Sequence, residues 1–329
     1  MSRSQAEVPP ASSANGTRER GQFEILKRFS ILIPFIMLPL GAWLGQRAFH
    51  GRAVPELLQA VLHLPAINLA LALACAAGSY LCLTFFDFLA VRYIGRRLSY
   101  GRVALSSFIA LGIDHTVGVA VLSSGALRYR LYSGFGLSAA DVAKIILFCA
   151  LTVGIGLMTL AGIILTWRPE FGPGAIGVAP GLVRLTGALC LALVLLYIVV
   201  TWRRKEPFRF RGRAYCLPGL KLAVMQVAAG TLDFAFVAAT LYWLLAGAAT
   251  YPETVSAYVL ANVSVLVSHV PGGIGVLEYV VSSVVSRGPV IEALIAFRII
   301  YFLIPLVLAT AALAATEVLR WCTAKARPS

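Results

Sequence analysis

Eight long apolar runs dominate the chain, beginning near Phe29, Ala66, Val103, Ala139, Leu182, Leu220, Thr254 and Ile291. A helix needs about 20 mainly apolar residues to cross roughly 30 Å of hydrocarbon. The apolar residues lie in continuous runs rather than at amphipathic spacing, so no solvated face is reserved along each run. Hydrophobic residues make up 59% of the chain and charged residues 13%. A soluble domain of this length has no core able to hide so much apolar surface. In lipid each segment must satisfy its own backbone hydrogen bonds, which selects helices. The expected fold class is all-α, a polytopic integral membrane helical bundle.

The net charge of +14 raises the question of nucleic acid. The basic residues flank apolar runs and no aromatic-basic motif accompanies them, so no nucleic acid is expected. Positive loops facing anionic lipid explain the charge more simply. The six cysteines form no metal or redox motif. Cys75, Cys82, Cys149 and Cys190 sit inside apolar runs and read as small core hydrophobes. The histidines lack zinc-ligand spacing, and no metal or cofactor is expected. Residues 1–24 are polar and contain Pro9 and Pro10, which marks a disordered tail. The run at Phe29 is long enough to span and lacks a clear cleavage site, so it is not read as a signal peptide.

Topology follows from Lys and Arg in short loops, which mark the cytoplasmic side. Lys27 and Arg28 place the start of the chain inside, and a span over 29–46 then leads out. The span over 66–91 returns to Arg92, Arg96, Arg97 and Arg102. If every later run simply crossed, Arg203, Arg204, Lys205, Arg209, Arg211 and Arg213 would lie outside. Letting 101–137 enter and leave from the cytoplasm as a re-entrant hairpin repairs this. The 138–166, 182–202 and 218–247 runs then cross. The 254–287 run, broken at Pro271-Gly272-Gly273-Ile274-Gly275, forms a second hairpin from outside. The last span ends inside at Arg320, Lys325 and Arg327. The expectation is about six full spans plus two re-entrant or broken helices, with both termini cytoplasmic. The transmembrane domain covers 25–322, with a cytoplasmic tail at 323–329. Broken backbone at membrane depth is tolerated where it is buried in protein or lines a cavity.

The two halves resemble each other. Phe86-Asp87-Phe88 matches Leu232-Asp233-Phe234. Gly125-Ala126-Leu127-Arg128-Tyr129 follows the first aspartate as Gly275-Val276-Leu277-Glu278-Tyr279 follows the second. Repeat 1 runs over about 66–166 and repeat 2 over about 218–320, in opposite directions. Inverted repeats with discontinuous helices are a recurrent transporter plan, with the substrate bound where the repeats meet.

A charge at the bilayer centre costs about 2.5–3.5 kcal/mol on insertion scales, so buried charges face a cavity or pair with each other. The candidate binding or transport residues are Asp87, Arg128, Arg130, Asp233, Glu278 and Arg298. Asp87 lies near one end of its run, where placement at the interface competes with a role in transport. Arg298 is expected to balance Glu278 or an aspartate. Asp114-His115 reads as a proton relay or as a packed polar pair. Arg128 and Arg130 follow a break expected at Ser123, Ser124 and Gly125, and can present guanidinium forks to a phosphodiester. The second break is assigned to Pro271, Gly272, Gly273 and Gly275.

Leu122-Ser123-Ser124-Gly125-Ala126-Leu127-Arg128-Tyr129-Arg130-Leu131-Tyr132-Ser133, with Gly136-Leu137-Ser138, resembles the flippase half of the bacterial lysylphosphatidylglycerol synthase/flippase family (multiple peptide resistance factor). Ser268-His269-Val270-Pro271-Gly272-Gly273-Ile274-Gly275-Val276-Leu277-Glu278 resembles its second signature. The resemblance covers most of 25–322. It implies an inner-membrane protein that moves an anionic or aminoacylated phospholipid, such as (lysyl)phosphatidylglycerol. By motif match it carries that role to Asp87, Arg128, Asp233 and Glu278. The chain departs from the full-length pattern, which continues into further spans and a soluble aminoacyl-transfer domain, so a stand-alone relative is implied. The expected function is lipid transport without enzymatic chemistry. The alternatives are a membrane scaffold or assembly subunit, or the partner of a separate aminoacyl transferase. A second copy of the chain and a separate synthase are the protein partners considered.

Overall fold

A computed structural model describes residues 64–325, apart from 118–119, 172–176, 205–207, 211–212, 216, 269–272, 274, 286 and 289; side chains are described except within 115–124, 205–216 and 320–325. In chain order the helices are α1 (Ala66–Tyr93), α2 (Tyr100–Val117), α3 (Ala120–Ser133), α4 (Ala139–Trp167) and α5 (Pro180–Arg203). A two-stranded ribbon follows, β1 (Phe208–Phe210) and β2 (Arg213–Tyr215), antiparallel with Phe208 opposite Tyr215. Then come α6 (Leu220–Leu244), α7 (Tyr251–Ser268), α8 (Val276–Val284), α9 (Val290–Arg298), a π-helical turn over Ile299–Leu303, and α10 (Ile304–Lys325). The small ribbon leaves the architecture all-α.

Five of these segments are long and apolar enough to cross a membrane: α1, α4, α5, α6 and the continuous stretch Val290–Leu319. They match the runs expected from the sequence. The expected span over 29–46, the 1–24 tail, Pro271 and Gly272 lie outside the described residues. Helix α10 continues to Lys325, beyond the expected domain end.

Local chemistry starts the helices where the loops require it. Asp141 N–H donates to Ser138 Oγ (3.2 Å) and Ser138 N–H donates to Asp141 Oδ2 (3.2 Å), a capping box that opens α4. Pro180 opens α5, where its missing N–H costs nothing. On the outer flank, Leu182, Leu185, Leu189, Leu193 and Leu196 of α5 are exposed, as a surface bathed in lipid requires.

Helices α1 and α6 form the most extensive pair. Asn68 Nδ2 donates to Trp243 O (3.0 Å), and Ser79 bonds Asp233 further along, so the two helices run antiparallel. Helix α4 runs parallel to α6. Gln226 Nε2 donates to Thr152 Oγ1 (2.8 Å), and one turn on Gly156 meets Gly230. A Cβ on Gly156 would lie 2.3 Å from the Gly230 carbonyl carbon, so only glycine permits this approach.

Both helical hairpins return to the end they entered. Arg102, near the start of α2, lies 6.0 Å from the Phe135 ring just after α3. Arg96, before α2, pairs with Asp141 at the start of α4 (3.4 Å). In the second hairpin, a Cβ on Gly288, after α8, would lie 2.7 Å from Ala248 Cβ, before α7. The mouths sit beside the C-terminal ends of α1 and α6. Because those helices are antiparallel, the mouths are at opposite ends of the bundle. The nine residues of α8 rise only about 14 Å, too short to cross. The inverted repeat is therefore α1, α2–α3, α4 against α6, α7–α8, α9–α10. The halves interlock: Ile109, Ile113, Leu127 and Leu131 of the first hairpin pack on Leu306, Ala309 and Leu313 of α10.

One boundary differs from expectation. Ser123, Ser124 and Gly125 lie inside α3, so the backbone is helical where a break was expected, and residues 118 and 119 lie outside the described residues. A Cβ on Gly125 would meet only Ile146 Cδ1, at an ordinary 3.8 Å. Glycine there is a tolerated helical residue, as it commonly is in membrane helices. The second break stands where expected: Gly273 and Gly275 have φ of 59° and 84°, which side-chain-bearing residues rarely adopt.

Candidate functional site

The first cluster forms around Asp87, on the inner face of α1. Arg128 Nη1 donates to Asp87 Oδ1 (2.7 Å) and Tyr132 OH donates to Asp87 Oδ2 (2.8 Å). Arg128 and Tyr132 are four residues apart on α3, so they share a face and reach the same carboxylate. Cys149 Sγ, from α4, donates to Asp87 Oδ1 (2.9 Å) and lies 3.8 Å from Arg128 Nη1. Asp87 is fully buried and Arg128 is 4% exposed. Asp87 is thus enclosed by protein rather than presented on the surface of the bundle. Cys149 is a polar member of the cluster rather than a hydrophobic filler. Arg128 Nε is buried without a hydrogen-bond partner among the described residues. A buried unpaired donor is costly and therefore informative.

Arg128 and Arg130 do not form a common fork. Two residues apart on a helix, they point to different sides. Arg130 Nη2 pairs with Glu317 Oε2 on α10 (2.8 Å).

The second cluster sits at the glycine break. Arg298 Nε donates to Glu278 Oε1 (2.6 Å), the partner anticipated from sequence, and Arg298 Nη2 donates to Gly273 O (3.3 Å). Gly275 N–H donates to Glu278 Oε2 (2.8 Å), closing the first turn of α8. The Glu278 and Arg298 side chains are 23% and 10% exposed, against 0% and 5% for Asp87 and Arg128. The second pair is the more open.

Asp233 differs from its counterpart Asp87. It is 4% exposed, and no Lys, Arg or His among the described residues forms an ion pair with it. Its carboxylate accepts from Ser79 Oγ on α1 (2.5 Å), and Ser79 Oγ lies 2.9 Å from Tyr301 OH in the π-helical turn. Asp114 is buried in α2, whereas the side chain of His115 lies outside the described residues.

Tyr132 was not among the residues expected at the site, although its place one turn beyond Arg128 is a signal that could have found it. Ser79, Tyr301 and Cys149 carried no local signal, because a small polar group in an apolar run reads like its neighbours. Among the described residues no three His, Cys, Asp or Glu side chains converge as metal ligands would.

The two hairpins thus present opposite charges at matching positions. Arg128 stands three residues after Gly125, and Glu278 three after Gly275. Each is neutralised by a counter-charge from a full span.

No family model matches the chain. It is 34% identical over 261 residues to the Uncharacterized protein slr0712 of Synechocystis sp., covering 77% of this chain and 80% of that protein. It is 30% identical over 237 residues to the Inner membrane protein YbhN of Escherichia coli (strain K12), covering 70% of this chain and 74% of that protein. The chain belongs to the YbhN family. As a YbhN-family protein with five apolar segments of spanning length among its described residues, it is an integral membrane protein. Neither relative's name states a cargo, so the names carry no assignment of lysylphosphatidylglycerol transport.

Proposed function

We propose that this YbhN-family chain is an inner-membrane lipid flippase that carries the headgroup of an anionic or aminoacylated phospholipid between its two inverted halves. The observation that supports this is the pair of re-entrant hairpins, entering from opposite ends and bearing Arg128 and Glu278 at matching positions. Arg128 is held by a buried ion pair and Glu278 by a half-buried one. Discontinuous helices at the interface of inverted repeats are where secondary transporters bind their substrates.

Arg128 is suited to a phosphodiester. Its planar guanidinium offers several donors, and its Nε–H has no other claim on it. A phosphate entering the site replaces Asp87 as the partner of Arg128. Breaking the Asp87 pair opposes much of the new attraction, so binding is weak enough for release. Glu278 serves the positive part of a headgroup in the same way, by exchange with Arg298. The acyl tails stay in lipid while the headgroup passes.

Arg96 and Arg102 stand at the mouth of the first hairpin, between α1 and α2 with Arg92 and Arg97, and Arg203 and Arg204 end α5. By the positive-inside bias we assign that end to the cytoplasm.

The test is transport in vesicles carrying fluorescent phosphatidylglycerol or lysylphosphatidylglycerol in one leaflet. The expected result is movement above that of protein-free vesicles, reduced by Arg128→Ala in protein that remains folded. Wild-type protein that moves neither lipid faster than empty vesicles would refute the reading.

A further inference from the structure

We infer that Asp233 is a proton-binding site that couples lipid movement to the transmembrane proton gradient; the coupling role rests on the flippase reading, the proton site does not. The case begins with the difference between two aspartates at equivalent places in the repeat. Asp87 is met by a guanidinium, which only donates hydrogen bonds and carries a permanent charge. That environment suits the carboxylate alone. Asp233 is met by a hydroxyl whose other neighbour is also a hydroxyl.

Hydroxyls donate and accept with equal ease. When Asp233 is ionised, Ser79 donates to it and accepts from Tyr301. When Asp233 is protonated, it donates to Ser79, which turns and donates to Tyr301. Both states are hydrogen-bonded without any heavy atom moving. The proton is taken from a hydronium ion of the surrounding water, whose O–H bond breaks as one O–H bond forms on the carboxylate.

The groups around Asp233 leave the charge uncompensated. The titratable groups of the elements around it are Tyr80 and Cys82 on α1, Tyr258 on α7 and Tyr301, and phenols and thiols carry no charge near neutral pH. Helix α4 brings glycine and Thr152 to α6, and α5 brings Tyr197 to Gln226. Arg298, three residues before Tyr301, is engaged with Glu278 and Gly273. Asp233 is the fourteenth of the 25 residues of α6, which puts it near mid-membrane. A buried ion there without a counter-charge costs several kcal/mol. A proton is the smallest cation that removes this cost in a closed site.

The wiring to the rest of the protein is short. Tyr301 lies in the π-helical turn that separates α9 from α10, a deformation often found at functional sites. Tyr80 OH donates to the backbone carbonyl of Tyr301 (3.2 Å), and Tyr301 stacks on Phe297 with ring centroids 5.5 Å apart. The hydrogen-bond polarity set by proton occupancy of Asp233 therefore reaches the turn that follows Arg298, whose side chain binds the second hairpin through Glu278 and Gly273.

The test uses the full chain reconstituted in phosphatidylglycerol-containing vesicles and has two arms. The first arm is infrared difference spectroscopy across a pH step. The wild type should show the carbonyl band of a protonated carboxylic acid, which Asp233→Asn abolishes and Asp87→Asn leaves in place. Ser79→Ala, which removes the hydrogen bond but keeps the acid, should shift the band. A wild-type spectrum without this band, or a band unmoved by both Asp233→Asn and Ser79→Ala, overturns the inference.

The second arm follows fluorescent phosphatidylglycerol under an imposed gradient of one pH unit, with the membrane potential clamped. One proton per lipid biases the steady-state distribution by up to about tenfold, and Asp233→Asn should abolish that bias. Lipid movement indifferent to the gradient overturns the coupling. A titrating Asp233 band in protein that moves no lipid refutes the flippase reading and leaves the proton site standing.

Discussion

Replacing Arg128 by methionine isolates what the buried pair contributes. Asp87 is wholly buried, and Arg128 is its one salt-bridge partner among the described residues. After the substitution, Tyr132 and Cys149 still donate to the carboxylate, but no cation faces it. Removing one member of a buried pair costs about 3–5 kcal/mol, because the other charge is stranded. Asp87→Leu should cost a similar amount by stranding the guanidinium. The double variant Asp87→Leu/Arg128→Met strands neither. Its expected loss is about 1–3 kcal/mol, mainly for the Tyr132 hydroxyl left without an acceptor. The two sites should therefore be strongly coupled, with the double variant far more stable than the sum of the singles implies. The assay is SDS-titrated unfolding in detergent micelles, followed by tryptophan fluorescence. Single variants within about 1 kcal/mol of wild type, or losses that simply add, would refute the reasoning. Transport should stay lost in the stable double variant, and its recovery would show that Arg128 does not bind the headgroup.

Three further outcomes follow from the geometry. Gly156→Leu forces a Cβ to within 2.3 Å of the Gly230 backbone, so α4 and α6 must separate; the expected loss is at least the 1–3 kcal/mol of ordinary overpacking, seen as reduced folded yield on size exclusion. Gln226→Leu removes bonds to Thr152 and Tyr197 (2.8 and 2.6 Å); at about 0.6 kcal/mol for each interhelical bond the total stays below about 2 kcal/mol, measured in the same SDS titration. Cysteines placed at Ser133 and Thr250 should react with impermeant thiol reagents from the cytoplasmic and the opposite side respectively, and labelling of both from one side would contradict the inverted hairpins.

How far the sequence reached depended on the range of the force involved. The spans were legible because desolvation acts residue by residue: 20 apolar residues in a row demand lipid whatever surrounds them. The runs expected over 66–91, 138–166 and 182–202 agree closely with Ala66–Tyr93, Ala139–Trp167 and Pro180–Arg203. The hairpins were legible because a misplaced crossing would have put the Arg-rich loop on the wrong side. The break at Gly273 and Gly275 was legible too, since positive φ is a local demand that glycine meets. Ser123–Gly125, where a break was expected, is helical within α3, because serine and glycine carry no such demand inside a membrane helix.

What the sequence alone determined is the membrane class, the order of spans and hairpins, and the list of charges that need partners. Only the tertiary structure decided the partners. Asp87 meets Arg128 across 41 residues and Asp233 meets Ser79 across 154. Such pairings depend on which helix faces which. That is set by close packing, as where Gly156 meets Gly230, and by the antiparallel register of α1 and α6. Two aspartates that look alike in the sequence thus differ in kind: one is held by a fixed cation, the other by hydroxyls that serve it charged or neutral.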